Sequence, residues 1–320
     1  MQQNSKEIIH RALQKLVLPG PESHKGQNGK LLIIGGSELF HAASRWSLEV
    51  AAKFVDMVFY SSIPSNNELV QQAKGEFWNG IVIDRDDMEL YLQEADCVLI
   101  GPGMTRTEDT EKLTNKLLKK YSDKKWVIDA GALQMIDPRL ITEQCIVTPH
   151  KQEFEKLVEK VEPVLVEERA TTDPNDPAVL NVEIGSGNWQ LHFGSLIGNT
   201  GWFLKSQMPE EELYKTFSEA IHGATIVQKS HVDTVANQHF YTQVEGGNGG
   251  MAKGGTGDVL AGLIAAIYCC NDVETAAVLG SYINKKAGDE LYKEVGPNFS
   301  STDLVNQIPK TLWSELQSNK

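Results

Sequence analysis

The stretch LLIIGGSELFHAASRWSLEVAAKFVDMVFY, residues 31–60, decides the fold. Leu31–Ile34 is a continuous aliphatic run of the kind found in a short strand buried on both faces. It stops at Gly35–Gly36–Ser37, residue types that turn a chain sharply, and residues 42–55 then read as a helix. Met57–Tyr60 is apolar again. The unit is therefore strand, turn, helix, strand.

The same alternation extends outward. Upstream, Ile8, Ile9, Ala12, Leu13 and Leu16 give residues 5–18 a helical spacing that Pro19–Gly20–Pro21 ends. Downstream, Gly80–Ile83, Cys97–Ile100, Trp126–Ile128 and Cys145–Val147 read as further strands, with a helical pattern at 108–121. Apolar strands alternating with helices predict a three-layer α/β fold, a mostly parallel central sheet with helices on both faces. Several strands end in polar turns: GGS at 35–37, GPG at 101–103, DAG at 129–131 and TPH at 148–150. In open α/β sheets ligands collect at the carboxyl ends of strands, although ordinary connections use the same residue types. Residues 160–220 break the rhythm with turn formers and weak β alternation, and read as an insertion or flap in a single domain spanning 1–320.

Composition narrows the partners. The chain has 320 residues, 41% hydrophobic and 23% charged, with net charge −13. That excess of acid gives a nucleic-acid groove or an anionic membrane surface no global support, while a local nest of backbone N–H groups could still hold a small anion. Cys97, Cys145, Cys269 and Cys270 fall in no C-x-x-C spacing and read as reduced thiols of a cytoplasmic protein. The N-terminal MQQNSKEIIHRALQKL lacks a signal-peptide core, and no run approaches the roughly 20 apolar residues of a membrane span.

Residues 246–268, GGNGGMAKGGTGDVLAGLIAAIY, carry the chemistry. Glycines admit positive φ and close approach of backbone to a ligand. They give way to VLAGLIAAI, a helix apolar on nearly every face, and a helix N-terminus attracts phosphate oxygens. The backbone of Gly254, Gly255 and Gly257 would form the nest, and the Thr256 hydroxyl would add a donor. Asp258 reads either as the N-cap of that helix or as a base that takes a proton from an attacking hydroxyl. Neither a Walker A loop nor a G-x-G-x-x-G fingerprint is present.

Taken in order, SHKGQNGKLLIIGGS (23–37), IGPG (100–103), VIDAGAL (127–133), VTPHKQEF (147–154), IVQKSHVD (226–233), NGGMAKGGTGDVLAG (248–262), SYINKKAGDELY (281–292) and STDLVNQIP (301–309) form a specific set. With it the chain resembles the ADP/ATP-dependent NAD(P)H-hydrate dehydratases, a carbohydrate-kinase-like family of the ribokinase-like fold. The resemblance implies a repair reaction: Asp258 deprotonates the hydroxyl of hydrated NADH or NADPH (NAD(P)HX), which attacks the terminal phosphoryl of ADP or ATP. The phosphorylated intermediate then eliminates phosphate, because phosphate leaves where hydroxide does not. Mg²⁺ would bridge the phosphates. By position, Ala43, Gly103, His150 and Glu153 would lie with Asp258 on the NAD(P)HX side. Lys229, Ser230, His231, Val232, Asp233 and Asn248 would join Gly254–Gly257 on the nucleotide side. Taken alone, His150 could merely cap the helix that follows it, and Lys229 could be a solvated strand end.

The chain departs from the family pattern at Ala42, at Thr105 after GPG, and at Gly131, where the family has a second acid. No epimerase-like domain precedes residue 24, so a separate chain is expected to supply that activity. A homo-oligomer is expected from the fold. Two alternatives share the glycine loop: a ribokinase-like small-molecule kinase, and a non-catalytic nucleotide-binding homologue.

Overall fold

The computed structural model describes residues 2–170, 179–184, 187–192 and 209–319. Strand β1 (Lys30–Ile34) pairs in parallel with β2 (Met57–Ser61) on one side and β4 (Cys97–Ile100) on the other. From there the sheet grows both ways. Strand β3 (Ile81–Ile83) flanks β2, and β5 (Lys125–Ile128), β6 (Cys145–Val147) and β9 (Thr225–Gln228) follow β4 in parallel. Strands β10 (Asp233–Ala236) and β11 (Tyr241–Val244) complete that edge antiparallel. The order β11-β10-β9-β6-β5-β4-β1-β2-β3 reverses direction between β1 and β4, which makes that gap the switch point of a doubly wound sheet.

Side-chain alternation along the strands builds two cores. On one face Leu31, Ile33, Val58, Leu99 and Val127 pack under α1 (Gln2–Lys15), α2 (His41–Ala51), α3 (Pro64–Gln72), α9 (Thr256–Cys270), α10 (Val273–Val295) and α11 (Ser301–Ser318). On the other, Leu32, Ile34, Val98, Trp126 and Ile128 pack under α4 (Met88–Glu94), α5 (Glu108–Lys120), α6 (Ala130–Met135), α7 (Lys151–Ala170) and α8 (Glu210–Ala220). Each fully buried aliphatic side chain contributes roughly 1.5–3 kcal/mol, so strands apolar on both faces lock the sheet between its layers. The three-layer, mostly parallel architecture matches the expectation. Helix α9 is apolar on nearly every face because it lies between the sheet, α2 and α10.

The span 160–220 is more regular at its margins than its sequence suggests. Residues to Ala170 extend α7, and Glu210–Ala220 forms α8, which packs Tyr214 and Phe217 against Phe154 of α7. Together α7 and α8 are part of the crossover from β6 to β9. Between them, β7 (Val179–Ile184) and β8 (Gly187–His192) pair as an antiparallel ribbon, and the remainder of the expected insertion lies outside the described residues. All four cysteines are free; Cys97, Cys145 and Cys269 are buried, and burial pushes the Cys145 thiol up to about 11. Among the described residues no helix is long and apolar enough to cross a membrane.

Candidate active site

The turns at the carboxyl edge form one continuous row. Gly35 N–H donates to Ser61 O, Gly101 to Ile34 O, Asp129 to Ile100 O, Thr148 to Ile128 O, and Lys229 to Pro149 O at 2.8 Å. Each strand thus passes its ladder on to the turn beside it, and the four polar turns line a single edge. At the switch point Gly36 N–H also donates to Pro102 O at 2.7 Å, closing GGS onto GPG.

Lys229 sits at the centre of this row. Its Nζ lies 2.7 Å from Asp129 Oδ1 and 4.0 Å from Glu153 Oε2. Burial pushes its pKa down, but Asp129, Glu153 and Asp258 outweigh burial and hold it above the usual lysine range. Asp129 is 1% exposed and also accepts from Thr148 Oγ1 at 2.8 Å. The solvated-strand-end reading of Lys229 is therefore corrected: its ammonium is largely enclosed by acids, where a lone charge would be strongly unfavourable.

Asp258 stands beside this pair. The N-cap of α9 is Gly255, at φ +98°, and Asp258 falls three residues later in the first helical turn. The capping reading of Asp258 is corrected accordingly. Burial first, then the Asp129 carboxylate and to a lesser degree Glu153, push its carboxyl up to about 7 against the opposing pull of Lys229. Gly255 is required on two counts: few other residues adopt its φ, and a side chain there would meet the Trp46 ring and Ser301 Oγ. The Gly257 Cα faces the lysine, with a side chain built there coming within 3.6 Å of Lys229 Nζ. First-turn N–H groups of a helix have no intrahelical acceptor, so this turn is an anion seat.

On one side of Asp258 opens a groove of about 340 Å³. Lys229, Ser230, His231, Asp233, Asn248, Thr256 and Gly257 of the expected nucleotide set line it. Within it the polar side chains mostly hold the walls. Asp233 accepts from Ser230 N–H at 2.8 Å and Ser281 Oγ at 2.7 Å, and lies 3.2 Å from Lys285 Nζ. Lys285, which the sequence did not single out, donates to the carbonyls of Ser230, His231 and Gly246. Asn248 donates to Gly288 O and Asp289 Oδ1 and accepts from Gly250 N–H. The Thr256 hydroxyl reaches Met251 O at 2.7 Å and Lys253 O at 3.0 Å, so it shapes the loop and is not the free donor expected. Val232, Gly254 and Gly255 are not among the groove's lining residues; the Gly254 carbonyl is tied to Ser301 Oγ at 2.9 Å.

The expected dinucleotide residues fall into two neighbouring pairs, Ala43 with Gly103 and His150 with Glu153. A side chain at Gly103 would stand 3.0 Å from the Ala43 methyl group. Ser47, one turn along α2 from Ala43, donates to Asp258 O at 2.8 Å, which joins that helix to the anion seat. His150 pairs with Lys229 as a parallel bridge and caps α7: its Nδ1 accepts from Glu153 N–H at 3.2 Å, while Glu153 Oε2 accepts from His150 N–H at 3.0 Å. The capping reading of His150 is thus right as far as it goes. With Nδ1 accepting, the ring proton resides on Nε2, and the ring is half exposed. Glu153 is further held by Gln134 Nε2 at 2.7 Å.

The departure at Gly131 has a steric reason. A side chain at Gly131 would collide with the carbonyl of Met104, so the GPGMT turn occupies the room that an acid at 131 would need. The sequence flagged Gly131 and Thr105 but not Met104, which Gly131 faces. It also marked the turn DAG without assigning Asp129 a role, because its partner lies 100 residues away.

A family model described as NAD(P)H-hydrate dehydratase matches residues 31–173 and 192–310. A bifunctional NAD(P)H-hydrate repair enzyme of Methanocaldococcus jannaschii is 32% identical over 91% of this chain and 49% of that protein. An ADP-dependent (S)-NAD(P)H-hydrate dehydratase of Nitrosopumilus maritimus is 28% identical over 95% of this chain and 96% of its own. A ribokinase-like superfamily protein of Enterococcus faecalis superposes with a TM-score of 0.71 at 21% identity, over 95% of this chain and 94% of that one. That likeness shows a ribokinase-like fold. The chain spans about half the length of the bifunctional relatives it matches.

Proposed function

The chain belongs to the NAD(P)H-hydrate dehydratase family, and from that premise we propose that it returns hydrated NADH or NADPH to the reduced dinucleotide, using ADP or ATP. One observation carries the reading. Asp258, its carboxyl pushed up to about 7 by burial and neighbouring acids, follows Gly257 of the 340 Å³ groove's wall, and its carbonyl is held by Ser47, one turn along α2 from Ala43.

In this reading the nucleotide's phosphates lie in the groove against the first turn of α9, with Lys229 beside the terminal phosphoryl. Asp258 takes the proton of the ring hydroxyl. The hydroxyl oxygen attacks phosphorus, the bond to the leaving nucleotide breaks, and negative charge develops on the phosphoryl oxygens. The Gly257 N–H and the Lys229 ammonium are fixed beforehand where that charge appears, the usual source of catalysis in phosphoryl transfer. Phosphate then departs from the ring carbon, a proton leaves the neighbouring carbon, and the double bond is restored. His150 presents its Nε2–H to the dinucleotide.

Among the described residues no group of three or more His, Cys, Asp or Glu could hold a metal ion. Mg²⁺ needs few protein ligands when phosphates supply the rest, and when bound it would neutralise charge between them. An epimerase partner, in another chain or a longer one, a cytoplasmic location and a homo-oligomer belong to the same proposal.

The test is direct. Hydrated NADH is incubated with the protein, Mg²⁺ and ADP or ATP, following reduced-nicotinamide absorbance together with phosphate release. Recovery of NADH with one phosphate per turnover is expected. Phosphoryl transfer to another alcohol without recovery of NADH would make the protein a kinase, and nucleotide binding with neither reaction would leave a non-catalytic homologue.

A further inference from the structure

Arg85 follows β3 at the carboxyl edge of the sheet, and it is anomalous. Among the described residues it makes no hydrogen bond or ion pair, and its Nη1 is fully covered with no partner. Burial pushes its pKa down to about 10, with the Tyr60 hydroxyl within electrostatic reach. Asp84, Asp86 and Asp87 flank it in sequence, yet all three point to solvent and none comes within ion-pair distance. A half-buried guanidinium with one covered nitrogen and no counter-ion is costly, and its fork of donors fits phosphate oxygens.

A second unsatisfied group lies in the same corner. Asn66 of α3 is 1% exposed; its Oδ1 meets His41 Nδ1 at 2.7 Å and its Nδ2 has no partner. That amide nitrogen abuts Gly36 of the GGS turn, beside Ser62 and Ser44. Ser44 in turn holds the Tyr60 hydroxyl at 2.8 Å. Gly36, Ser44, Ser62, Asn66 and the Tyr60 hydroxyl thus form a donor-rich wing of the strand-end edge, with no carboxylate among them, and Arg85 follows the neighbouring strand, where Ile83 pairs with Ser61.

Position identifies the ligand. From β5, which ends at Asp129, the row runs β4, β1, β2, β3. Four strand steps at roughly 4.8 Å put the Arg85 backbone about 19 Å from Asp129, which holds Lys229 near Asp258. That is the far end of an extended dinucleotide, well beyond its nicotinamide ring. In Rossmann dinucleotide-binding sheets an acid near the first βα unit reads the ribose 2′-hydroxyl and an arginine there accommodates a 2′-phosphate; this sheet shares their doubly wound layout, though not their glycine fingerprint. Resting on the dinucleotide reading above, we propose that Arg85, supported by Asn66, is the subsite for the 2′-phosphate of hydrated NADPH, so that this chain favours NADPHX over NADHX.

The experiment uses probes that lack the nicotinamide, so it does not depend on turnover. Calorimetry measures the affinity of 2′-phospho-ADP-ribose and of ADP-ribose for the wild type, Arg85→Gln and Arg85→Lys. The wild type is expected to bind the 2′-phosphorylated probe about tenfold or more tightly, as befits charge-assisted bonds to one phosphate. Arg85→Gln should abolish that preference and Arg85→Lys should retain part of it, with ADP-ribose unchanged in both. The melting temperature of Arg85→Gln should hold or rise, because an unpaired buried charge is removed. An equal loss for both probes, or no change for either, overturns the assignment. If the wild type binds neither probe, the dinucleotide reading itself fails.

Discussion

Asp258, Lys229 and Asp129 illustrate how burial turns ordinary residues into chemistry. A carboxyl in the first turn of a helix would normally ionise easily, since the helix N-terminus favours negative charge. Here burial and two neighbouring carboxylates override that preference and push Asp258 up to about 7. The rate with limiting substrate should therefore rise with pH through about 7, since the base works only after losing its proton; a profile flat from pH 5 to 9 would remove Asp258 from that role. The Lys229–Asp129 pair gives a second test. Lys229→Met should destabilise the protein by about 3–5 kcal/mol in urea unfolding, because it leaves buried carboxylates without their cation, while Asp129→Asn should cost less, since Glu153 and Asp258 still face the ammonium, and the double variant should recover part of the loss. Additive losses would mean the two residues stabilise independently. Asp258 was legible in the sequence because the glycine run and the apolar helix frame it. Asp129 was not, because its partner is remote in sequence and the two meet only once β5, β6 and β9 lie side by side.

At the scale of elements, the anion seat depends on one backbone conformation and two helices. Gly255 at φ +98° starts α9, and Trp46 of α2 presses on it. Gly255→Ala should lower nucleotide affinity and the melting temperature together, with backbone strain alone of order 1–3 kcal/mol. Unchanged affinity would show that the loop needs no such turn. The DAG turn offers a converse case: Gly131→Asp restores the family's acid but drives it into the Met104 carbonyl. It should reduce stability without raising activity, and a gain in activity would contradict that contact. Parallel strands β1 to β6 were readable because each is a short, continuous apolar run; β9, Thr225–Gln228, is bounded by polar residues and was not singled out as a strand. Strands β10 and β11 were not, since Asp233–Ala236 and Tyr241–Val244 mix polar and apolar residues as an antiparallel edge does. Helix α8 was hidden by the turn-rich segment before it.

Across the whole molecule, catalysis and stability pull in opposite directions. The folded pKa of Asp258 lies above its ordinary value. Its contribution is therefore fully present below about pH 4 and is lost as pH rises through about 7. At pH 8 the fold carries a buried carboxylate at a cost of roughly 4 kcal/mol, so Asp258→Asn should melt several degrees higher there and lose that advantage towards pH 4. The doubly wound sheet gathers its strand-end turns on one edge, which is why motifs between residues 35 and 258 share a single cleft. The order of those motifs was legible in the chain; the division of labour within the groove was not. Asp233 and Asn248 match ligand positions yet spend their bonds on Lys285, Ser281 and Asp289. The account rests above all on Asp258 as the base. Wild type and Asp258→Asn should be compared side by side with hydrated NADH, Mg²⁺ and nucleotide, measuring NADH recovery, phosphate release and nucleotide affinity. The expected result is loss of both products with nucleotide affinity within about tenfold, because the carboxylate serves the attacking hydroxyl. Retained turnover, or a parallel collapse of nucleotide binding, would contradict it.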